Sequence, residues 1–244
     1  DYVVRPAMKD AVRNADPKDG QIFLDFGCGE GRETAFLRDA IAENGVQTGH
    51  LYGYDKNREA ISRAGGLKTG HIMTSFHSGD FWKFAESNAL SRNVDILISS
   101  FVLQETPYLD ETFKMMNYAL RANGIGIHVF VHPQFEEALR KKGELRVEPT
   151  LASDQWDFAA AYPIVEKGRK PFYLPCFHRS LSRYLAAFEM KYYIEEVRGL
   201  KPSAEVLALA EKEKRSPFYA HEHNVYWPEI SEISSSVIVT VRKK

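Results

Sequence analysis

The residues best suited to chemistry form a glycine-rich run, Asp25-Phe26-Gly27-Cys28-Gly29-Glu30-Gly31, which lies between an apolar segment and a helical pattern. Glycine permits a tight turn and lets the backbone approach a ligand closely. A dinucleotide-binding turn would have its third glycine at position 32, where this chain has Arg32. An acid inside the strand end suits a ligand that carries an ammonium group better than a pyrophosphate. The run predicts a ligand-binding turn, with an ordinary glycine-rich turn as the alternative.

Two further acids follow later apolar segments. Asp55 comes directly after the segment 50–54, with Lys56 beside it, and doubly wound folds place an acid there to bind ribose hydroxyls. Asp80 lies in the run Ser78-Gly79-Asp80-Phe81, where its carboxylate could hold an adenine amino group while the Phe81 ring packs against the base. Simpler roles remain open for both acids, a helix cap for Asp55 and an Asx-turn for Asp80.

A parallel sheet would bring these residues together. Strand-like and helical patterns alternate through the first half of the chain, and this alternation predicts a parallel sheet. The predicted strands are 21–26, 50–54, a third region ending at 76–80, 94–101 and 124–131. The predicted helices are one after the glycine run, 58–64 and 111–120. The second half adds a helix at 181–188, a strand at 191–197, a helix at 203–214 and a strand at 236–241. We expect one domain over 1–244, with a doubly wound, Rossmann-like α/β fold.

Two aromatic-rich stretches break this order. Residues 133–176 lack clear periodicity, and residues 217–227 form a second aromatic loop. Connections of this length are usually lids or binding loops. We therefore expect residues 133–177 to be an inserted substrate lid, in which Trp156 contacts a flat substrate together with Tyr226 of the second loop. Core packing of a small cap is the alternative for these aromatic residues.

The ordered set of segments 25–31, Asp55, 79–81 and 99–107 resembles the successive motifs of class I S-adenosylmethionine-dependent methyltransferases. The resemblance implies S-adenosylmethionine as cofactor, S-adenosylhomocysteine as product, and a seven-stranded sheet whose last strand runs antiparallel. The cofactor contacts expected on this basis are Asp25, Gly27, Gly29, Gly31, Asp55, Lys56, Gly79, Asp80, Phe81, Ser99 and Ser100.

Two segments are similar to a narrower group, the small-molecule methyltransferases of the ubiquinone/menaquinone-biosynthesis type. These segments are His132-Pro133 and the run 177–181, Phe-His-Arg-Ser-Leu. The chain departs from that group at Gln104-Glu105, where a histidine is common, and in the long aromatic region before Cys176. The resemblance favours a small, flat or aromatic substrate, with Gln104 and Arg179 among its contacts, and methyl transfer to N or O.

Methyl transfer from a sulfonium is an in-line displacement, so the protein mainly aligns the reactants and excludes water. A hydroxyl acceptor would benefit from a base that titrates near neutrality. His132 is the first candidate, because the carboxyl ends of parallel strands face the ligand crevice, and His178 is the second. A lone histidine is more often structural. No metal site is expected, because His221 and His223 around Glu222 are too few ligands.

The composition of the chain argues against several classes of function. The chain has 244 residues, of which 44% are hydrophobic and 27% charged, and a formal net charge of -1. No global field therefore attracts nucleic acid or an anionic membrane, and no stretch reaches the ~18 apolar residues of a transmembrane helix. The two cysteines give neither a disulfide framework nor a zinc spacing, so a reducing cytoplasm is expected. The expected partner is a small-molecule substrate, and the oligomeric state is left open.

Three other functions remain open. A methyltransferase of RNA or protein is the nearest alternative, and a non-catalytic S-adenosylmethionine-binding module is the second. A nicotinamide oxidoreductase is the third, and Arg32 disfavours it.

Overall fold

The computed structural model describes residues 3–64, 72–141, 143, 146–148, 156–164, 172–204, 208 and 233–244. The strands are β1 (Gln21–Phe26), β2 (Gly49–Asp55), β3 (Met73–Ser78), β4 (Val94–Ser100), β5 (Leu120–Val131), β6 (Arg146–Glu148), β7 (Phe158–Ile164), β8 (Phe172–His178), β9 (Tyr192–Leu200) and β10 (Ser236–Lys243). The helices are α1 (Val4–Asn14), α2 (Arg32–Glu43), α3 (Arg58–Ala64), α4 (Phe81–Ser87), α5 (Leu109–Ala119), α6 (Pro133–Lys141) and α7 (Leu181–Glu189).

Seven strands form the main sheet, in the spatial order β3-β2-β1-β4-β5-β10-β9. The first five in this order pair in parallel. Strand β10 is antiparallel to both of its neighbours, β5 and β9. This arrangement confirms the expected Rossmann-like sheet with an antiparallel last strand.

The register brings the carboxyl ends of the parallel strands to one edge. Phe26 at the end of β1 pairs with Tyr54, and Asp55 at the end of β2 pairs with Ser78. Ser100 at the end of β4 pairs with Val129 of β5. The loops that follow these strands therefore start side by side, as an open α/β sheet requires for a ligand crevice.

Alternation along the strands divides the core into two layers. Leu24 and Leu97 belong to the layer that α4, α5 and α7 cover, whereas Phe23 and Ile98 belong to the layer under α1 and α2. Successive strand side chains point to opposite faces, so a strand buried on both faces reads as a continuous apolar run. These apolar runs made β1 and β4 predictable.

A second sheet lies within the region that lacked periodicity. It contains three antiparallel strands in the order β6-β7-β8. Helix α6 precedes it, and Phe135 and Leu139 of that helix pack with Ala160 of β7. The described part of 133–176 therefore has regular secondary structure, although its sequence shows no clear periodicity. We call α6 and β6–β8 the cap.

Some expectations fall outside the described residues. The predicted helix at 203–214 is described only at 203, 204 and 208, and the aromatic loop at 217–227, with Tyr226, lies outside them entirely. Within the described part of the chain, no helix is long and apolar enough to cross a membrane.

Candidate active site

The glycine turn after β1 takes a backbone shape that glycine favours. Gly27, Gly29 and Gly31 have φ angles of +80°, +53° and +78°. The N–H groups of Gly27 and Cys28 both donate to the carbonyl oxygen of Tyr54, at 2.7 and 3.0 Å. A Cβ on Gly27 would overlap a methyl group of Val102. The turn is thus held against the end of β2 and against the loop after β4, and there is no room for a side chain at Gly27.

Two carboxylates stand on either side of this turn. Asp55 accepts the Gly29 N–H at 2.8 Å with one oxygen and the Asn57 N–H at 2.8 Å with the other. Asp25 is only 1% exposed and accepts the Thr34 hydroxyl at 2.6 Å. Burial raises the pKa of Asp25 to about 7. Asp55 therefore braces the turn as well as facing the crevice, and each of its oxygens keeps a lone pair for a ligand hydroxyl.

Two adjoining cavities open at this edge of the sheet, each of about 290 Å³. They share Gly27, Gly29, Ser100 and Phe101. The first cavity is also lined by Asp25, Cys28, Glu30, Arg32 and Glu33. The second is also lined by Phe26, Tyr54, Asp55, Lys56, Val102, Glu105, Thr106 and Met115. Together the two cavities form one cleft, which is lined by both acidic side chains and apolar rings.

The segment 79–81 forms the start of α4. Asp80 is the N-cap, and its carboxylate accepts the Lys83 N–H at 2.9 Å. The Gly79 carbonyl accepts the Tyr54 hydroxyl at 2.7 Å. Phe81 is 3% exposed and packs edge-on against the rings of Phe26 and Tyr54, which line the second cavity. Asp80 thus caps α4, a role distinct from both the expected adenine contact and the simpler Asx-turn, and Phe81 packs behind the cavity wall.

The two serines at the end of β4 differ. Ser99 is fully buried, and its hydroxyl pairs with Nδ1 of His128 on β5 at 2.8 Å. Burial lowers the pKa of His128 to about 3, so this histidine is neutral. Ser100, the next residue, lines both cavities. The structure therefore places Ser100 in the cleft and Ser99 in the core, because adjacent strand residues face opposite ways.

The loop 101–107 connects the cleft to the cap. Arg179 has no exposed surface, and its guanidinium donates to the carbonyls of Thr106 at 2.7 Å and Pro107 at 3.1 Å, among others. Gln104 is also buried: its side-chain Nε2 donates to the Phe101 carbonyl at 2.7 Å, and its main-chain carbonyl accepts the Phe177 N–H at 2.7 Å. Both residues hold the loop in place, rather than presenting their polar groups to the cleft.

The two candidate bases lie at the cap. His132 is half-buried at the end of β5, and its Nδ1 accepts the Gln134 N–H at 3.1 Å, while burial lowers its pKa. His178 contacts the buried Glu136 of α6 through Nδ1, at 2.7 Å. The other oxygen of Glu136 accepts the Cys176 thiol at 3.0 Å. Neither histidine lines the two cavities described above.

Trp156 enters the cap as a partner of Phe177, with ring centroids 4.9 Å apart. Gly31 caps the start of α2, and Lys56 lines the second cavity. The part of the chain that the structure describes contains no group of three acidic, histidine or cysteine side chains arranged to hold a metal ion.

Sequence reasoning did not name several residues that line the cleft, among them Glu105 and Arg32. A signal for Glu105 was present, since an acid stands where the similar group commonly has a histidine, but the side-chain direction in a loop is not readable from spacing. Arg32 served only as evidence against a dinucleotide, although it begins the helix behind the turn.

The donor set fits an adenosyl amino acid. Nothing lies within 4 Å of where a Cβ on Gly29 would be, so a ligand chain has room against the turn there. Asp55 at the end of β2 suits ribose hydroxyls, and the neighbouring apolar wall of Phe26, Tyr54 and Met115 suits a flat base.

Comparison with known proteins agrees with this geometry. A family model described as "Methyltransferase domain" matches residues 17–168, more than half of the chain. No protein with a curated description matches the sequence.

Solved structures share the fold over nearly the whole chain. A Listeria monocytogenes protein described as an S-adenosylmethionine-dependent methyltransferase has a TM-score of 0.62 and 17% identity, covering 100% of both chains. An S-adenosylmethionine-dependent methyltransferase from Mesorhizobium loti has a TM-score of 0.54 and 17% identity, covering 96% of both. Geranyl diphosphate C-methyltransferase from Streptomyces coelicolor has a TM-score of 0.61 and 11% identity, covering 99% of this chain and 80% of its own. This chain belongs to the methyltransferase-domain family and is a class I S-adenosylmethionine-dependent methyltransferase.

Proposed function

We propose that this enzyme methylates N or O of a small, flat or aromatic metabolite by in-line displacement. The observation that carries the proposal is the attachment of the cleft loop 101–107 to the end of the cap. The Phe177 N–H of β8 donates to Gln104, and the guanidinium of Arg179, the residue after β8, donates to Thr106 and Pro107. A cap fixed beside the cleft suits an acceptor small enough to enter it. The balanced net charge of -1 also favours a small molecule over nucleic acid.

Within the cleft, we assign the cofactor contacts by chemistry. The bound cofactor supplies an electrophilic methyl group on a sulfonium. Asp25 and the glycine turn would hold its amino acid portion, since Asp25 lines the first cavity. Asp55 and Lys56 would face its ribose, and the rings of Phe26 and Tyr54 would contact its base in the second cavity. Ser100 would lie between the two portions.

The cap is the proposed substrate lid, within a single domain. Its core of Phe135, Leu139 and Ala160 makes it a folded element rather than a bare loop. The rings of Trp156 and Phe177 contact each other at a tilt, and the Phe177 N–H is one of the hydrogen bonds between the cap and loop 101–107. Closure by such an element would exclude water from the reacting groups.

If the acceptor is a hydroxyl, His178 is the better placed base. One oxygen of Glu136 accepts a hydrogen bond from the Cys176 thiol, and we assign the other oxygen as the acceptor for the Nδ1–H of His178. A neutral His178 then keeps Nε2 as a proton acceptor, oriented by a carboxylate as bases commonly are. In His132, Nδ1 is already an acceptor for the Gln134 N–H and the pKa is lowered by burial, both of which weaken it as a base.

The test is where label from methyl-labelled S-adenosylmethionine goes in a cell extract. After chromatography of the low-molecular-weight ultrafiltrate, we expect label in a compound other than S-adenosylmethionine with the wild-type enzyme, and no label above the enzyme-free extract with Gly27→Ala. Label confined to RNA or protein would contradict the small-molecule proposal. S-adenosylmethionine binding without any transfer would favour a non-catalytic module.

The base assignment has its own prediction. Once a hydroxyl acceptor is found, His178→Asn and Glu136→Gln should lower kcat by about 10²-fold or more, the usual contribution of a positioned base. S-adenosylmethionine affinity should stay within about threefold, under 1 kcal/mol. His132→Asn is the matched control and should retain most of kcat. Equal losses in kcat and cofactor affinity would assign His178 and Glu136 to cap folding instead.

A further inference from the structure

The carboxyl of Glu105 lies on the wall of the second cavity and has no role in the proposed cofactor contacts or in the proposed methyl transfer. Glu105 belongs to the loop 101–107, where its N–H donates to the Val102 carbonyl at 3.0 Å. Arg179 and the Phe177 N–H hold the same loop from the cap side. Among the described residues, no hydrogen bond or ion pair is made by the Glu105 side chain. The main chain is thus held in place, while the carboxyl remains available to a ligand.

The surroundings of Glu105 are apolar and acidic. Phe26, Tyr54, Val102 and Met115 line the same cavity, and across it lie Asp55 and Lys56 of the β2 end. The Arg179 guanidinium is engaged with main-chain carbonyls of the loop, and on α5 Lys114 pairs with Glu111 on the exposed side.

The neighbouring first cavity also contains more acidic than basic side chains. Glu30 and Glu33 on its wall are paired with Arg63 and Arg5, whereas Asp25 accepts only a hydroxyl among its described hydrogen bonds. Across both cavities the described linings contain five carboxyls, Asp25, Glu30, Glu33, Asp55 and Glu105, against the two cations Arg32 and Lys56.

The donor and the product of the reaction differ by one charge. S-adenosylmethionine has a sulfonium, which becomes a neutral thioether in S-adenosylhomocysteine, while the rest of the molecule is the same. A fixed negative charge in a poorly hydrated cavity attracts a cation more strongly than it would in water, because the effective dielectric is lower. A carboxylate on this wall can therefore distinguish the two ligands by charge alone.

We infer that Glu105 makes the cleft select the cationic methyl donor over its neutral product. Asp55 contributes less to this selection, since its charge is already stabilised by the N–H groups of Gly29 and Asn57 and we assign its oxygens to the ribose hydroxyls. Lys56 opposes the effect, and the apolar wall strengthens it. The inference concerns release of the product and does not depend on which acceptor is methylated.

The selection should depend on pH. Burial and the neighbouring Asp55 raise the pKa of Glu105 to about 7, and Lys56 lowers it in part. Below that pH the carboxyl is neutral and treats the two ligands alike. Above it the carboxylate favours the sulfonium, so binding of the donor should expel the proton that the carboxyl otherwise retains.

The test measures the dissociation constants of both ligands by calorimetry at about pH 6 and about pH 8. In the wild type, the ratio of the product's Kd to the donor's Kd should rise about tenfold over this range. In Glu105→Gln the ratio should remain nearly constant. The exposed Glu111→Gln on α5 is the matched control for loss of one negative charge and should behave as the wild type does.

Two results would overturn the inference. One is a Glu105→Gln variant that keeps the wild-type rise of the ratio, and the other is a variant that loses affinity for both ligands equally. Should the variant fail to fold, the wild type alone decides the matter. Calorimetry near pH 7 in buffers of different ionisation enthalpy should then show more proton release with the donor than with the product, and equal release for the two would refute the inference.

Discussion

At the scale of the residue, Gly27 combines a positive φ with a backbone that touches the next loop. Alanine there would be strained and would overlap a methyl group of Val102. Gly27→Ala should therefore weaken S-adenosylmethionine binding at least tenfold, as measured by calorimetry. Gly20→Ala is the matched control, because Gly20 has a φ of +78° but nothing within 4 Å of a new Cβ. The control should lose about 1 kcal/mol of stability and no cofactor affinity. Equal affinity losses in both would mean that strain alone, and not the turn's contact with the cleft, matters.

Asp55 has two functions in one carboxylate, and both depend on its charge. Asp55→Ala removes the acceptor for the Gly29 and Asn57 N–H groups and for ribose hydroxyls. A hydrogen bond to a charged group contributes ~1.5–3 kcal/mol, so cofactor affinity should fall tenfold or more. Asp39→Ala, at an exposed acid of α2 that pairs with Arg38, is the control. Unchanged affinity in Asp55→Ala would refute the ribose assignment.

The residue scale also shows where sequence reasoning stops. The turn 25–31 and Asp55 could be predicted because glycines and strand-end acids have specific backbone roles. Ser99 and Ser100 could not be told apart, since β4 is covered on both faces and its apolar run carries no alternation to set the direction of each side chain. The Ser99–His128 contact joins two strands and is invisible to spacing along one of them.

At the scale of the element, Arg179, the residue that follows β8, holds the cleft loop 101–107 by hydrogen bonds to its main-chain carbonyls. Arg179→Lys keeps the charge but loses the planar guanidinium. The lysine ammonium therefore cannot donate to the carbonyls of Thr106, Pro107 and Leu103 at the same time. We expect faster amide hydrogen exchange at Glu105 and reduced methyl transfer. Arg183→Lys on α7 is the control and should leave both unchanged. Wild-type exchange in Arg179→Lys would show that the loop holds itself.

The cap shows why elements of the second half escaped prediction. Pro163 and Pro175 stand inside β7 and β8, and proline within a run argues against a strand. Within the described ranges, strands β6 to β8 pair with one another and not with the main sheet, so no long apolar run marks them. Helix α1 was also missed, although Val4, Met8, Ala11 and Val12 have helical spacing. The main sheet was easier because each of its parallel strands is buried.

At the scale of the whole molecule, the site lowers the stability of the fold. The pKa of Asp25 is raised to about 7 by burial, whereas an unfolded aspartate has a pKa of ~3.9. Between these values the folded state holds a proton that the unfolded state has lost, so this group's contribution to stability falls as pH rises from about 4 to about 7.

Asp25→Asn removes that penalty and keeps an acceptor for the Thr34 hydroxyl. We expect the free energy of unfolding in urea to rise by about 1 kcal/mol or more near pH 8, with no gain near pH 4. Cofactor affinity should fall, because the buried carboxylate that destabilises the fold is the group that we assign to the amino acid portion of the cofactor. A variant destabilised at both pH values would show that the carboxylate is more favourable in the fold than its burial suggests.

The position of β10 between β5 and β9 has a consequence for synthesis of the chain. Its residues 236–243 fill the slot between strand 120–131 and strand 192–200, which do not pair with each other. While the ribosome is still translating the region before residue 236, β5 therefore has an unpaired edge and β9 has no place in the sheet. Unpaired edges template association between chains. Stalled or truncated translation products that lack β10 should therefore aggregate rather than fold partially.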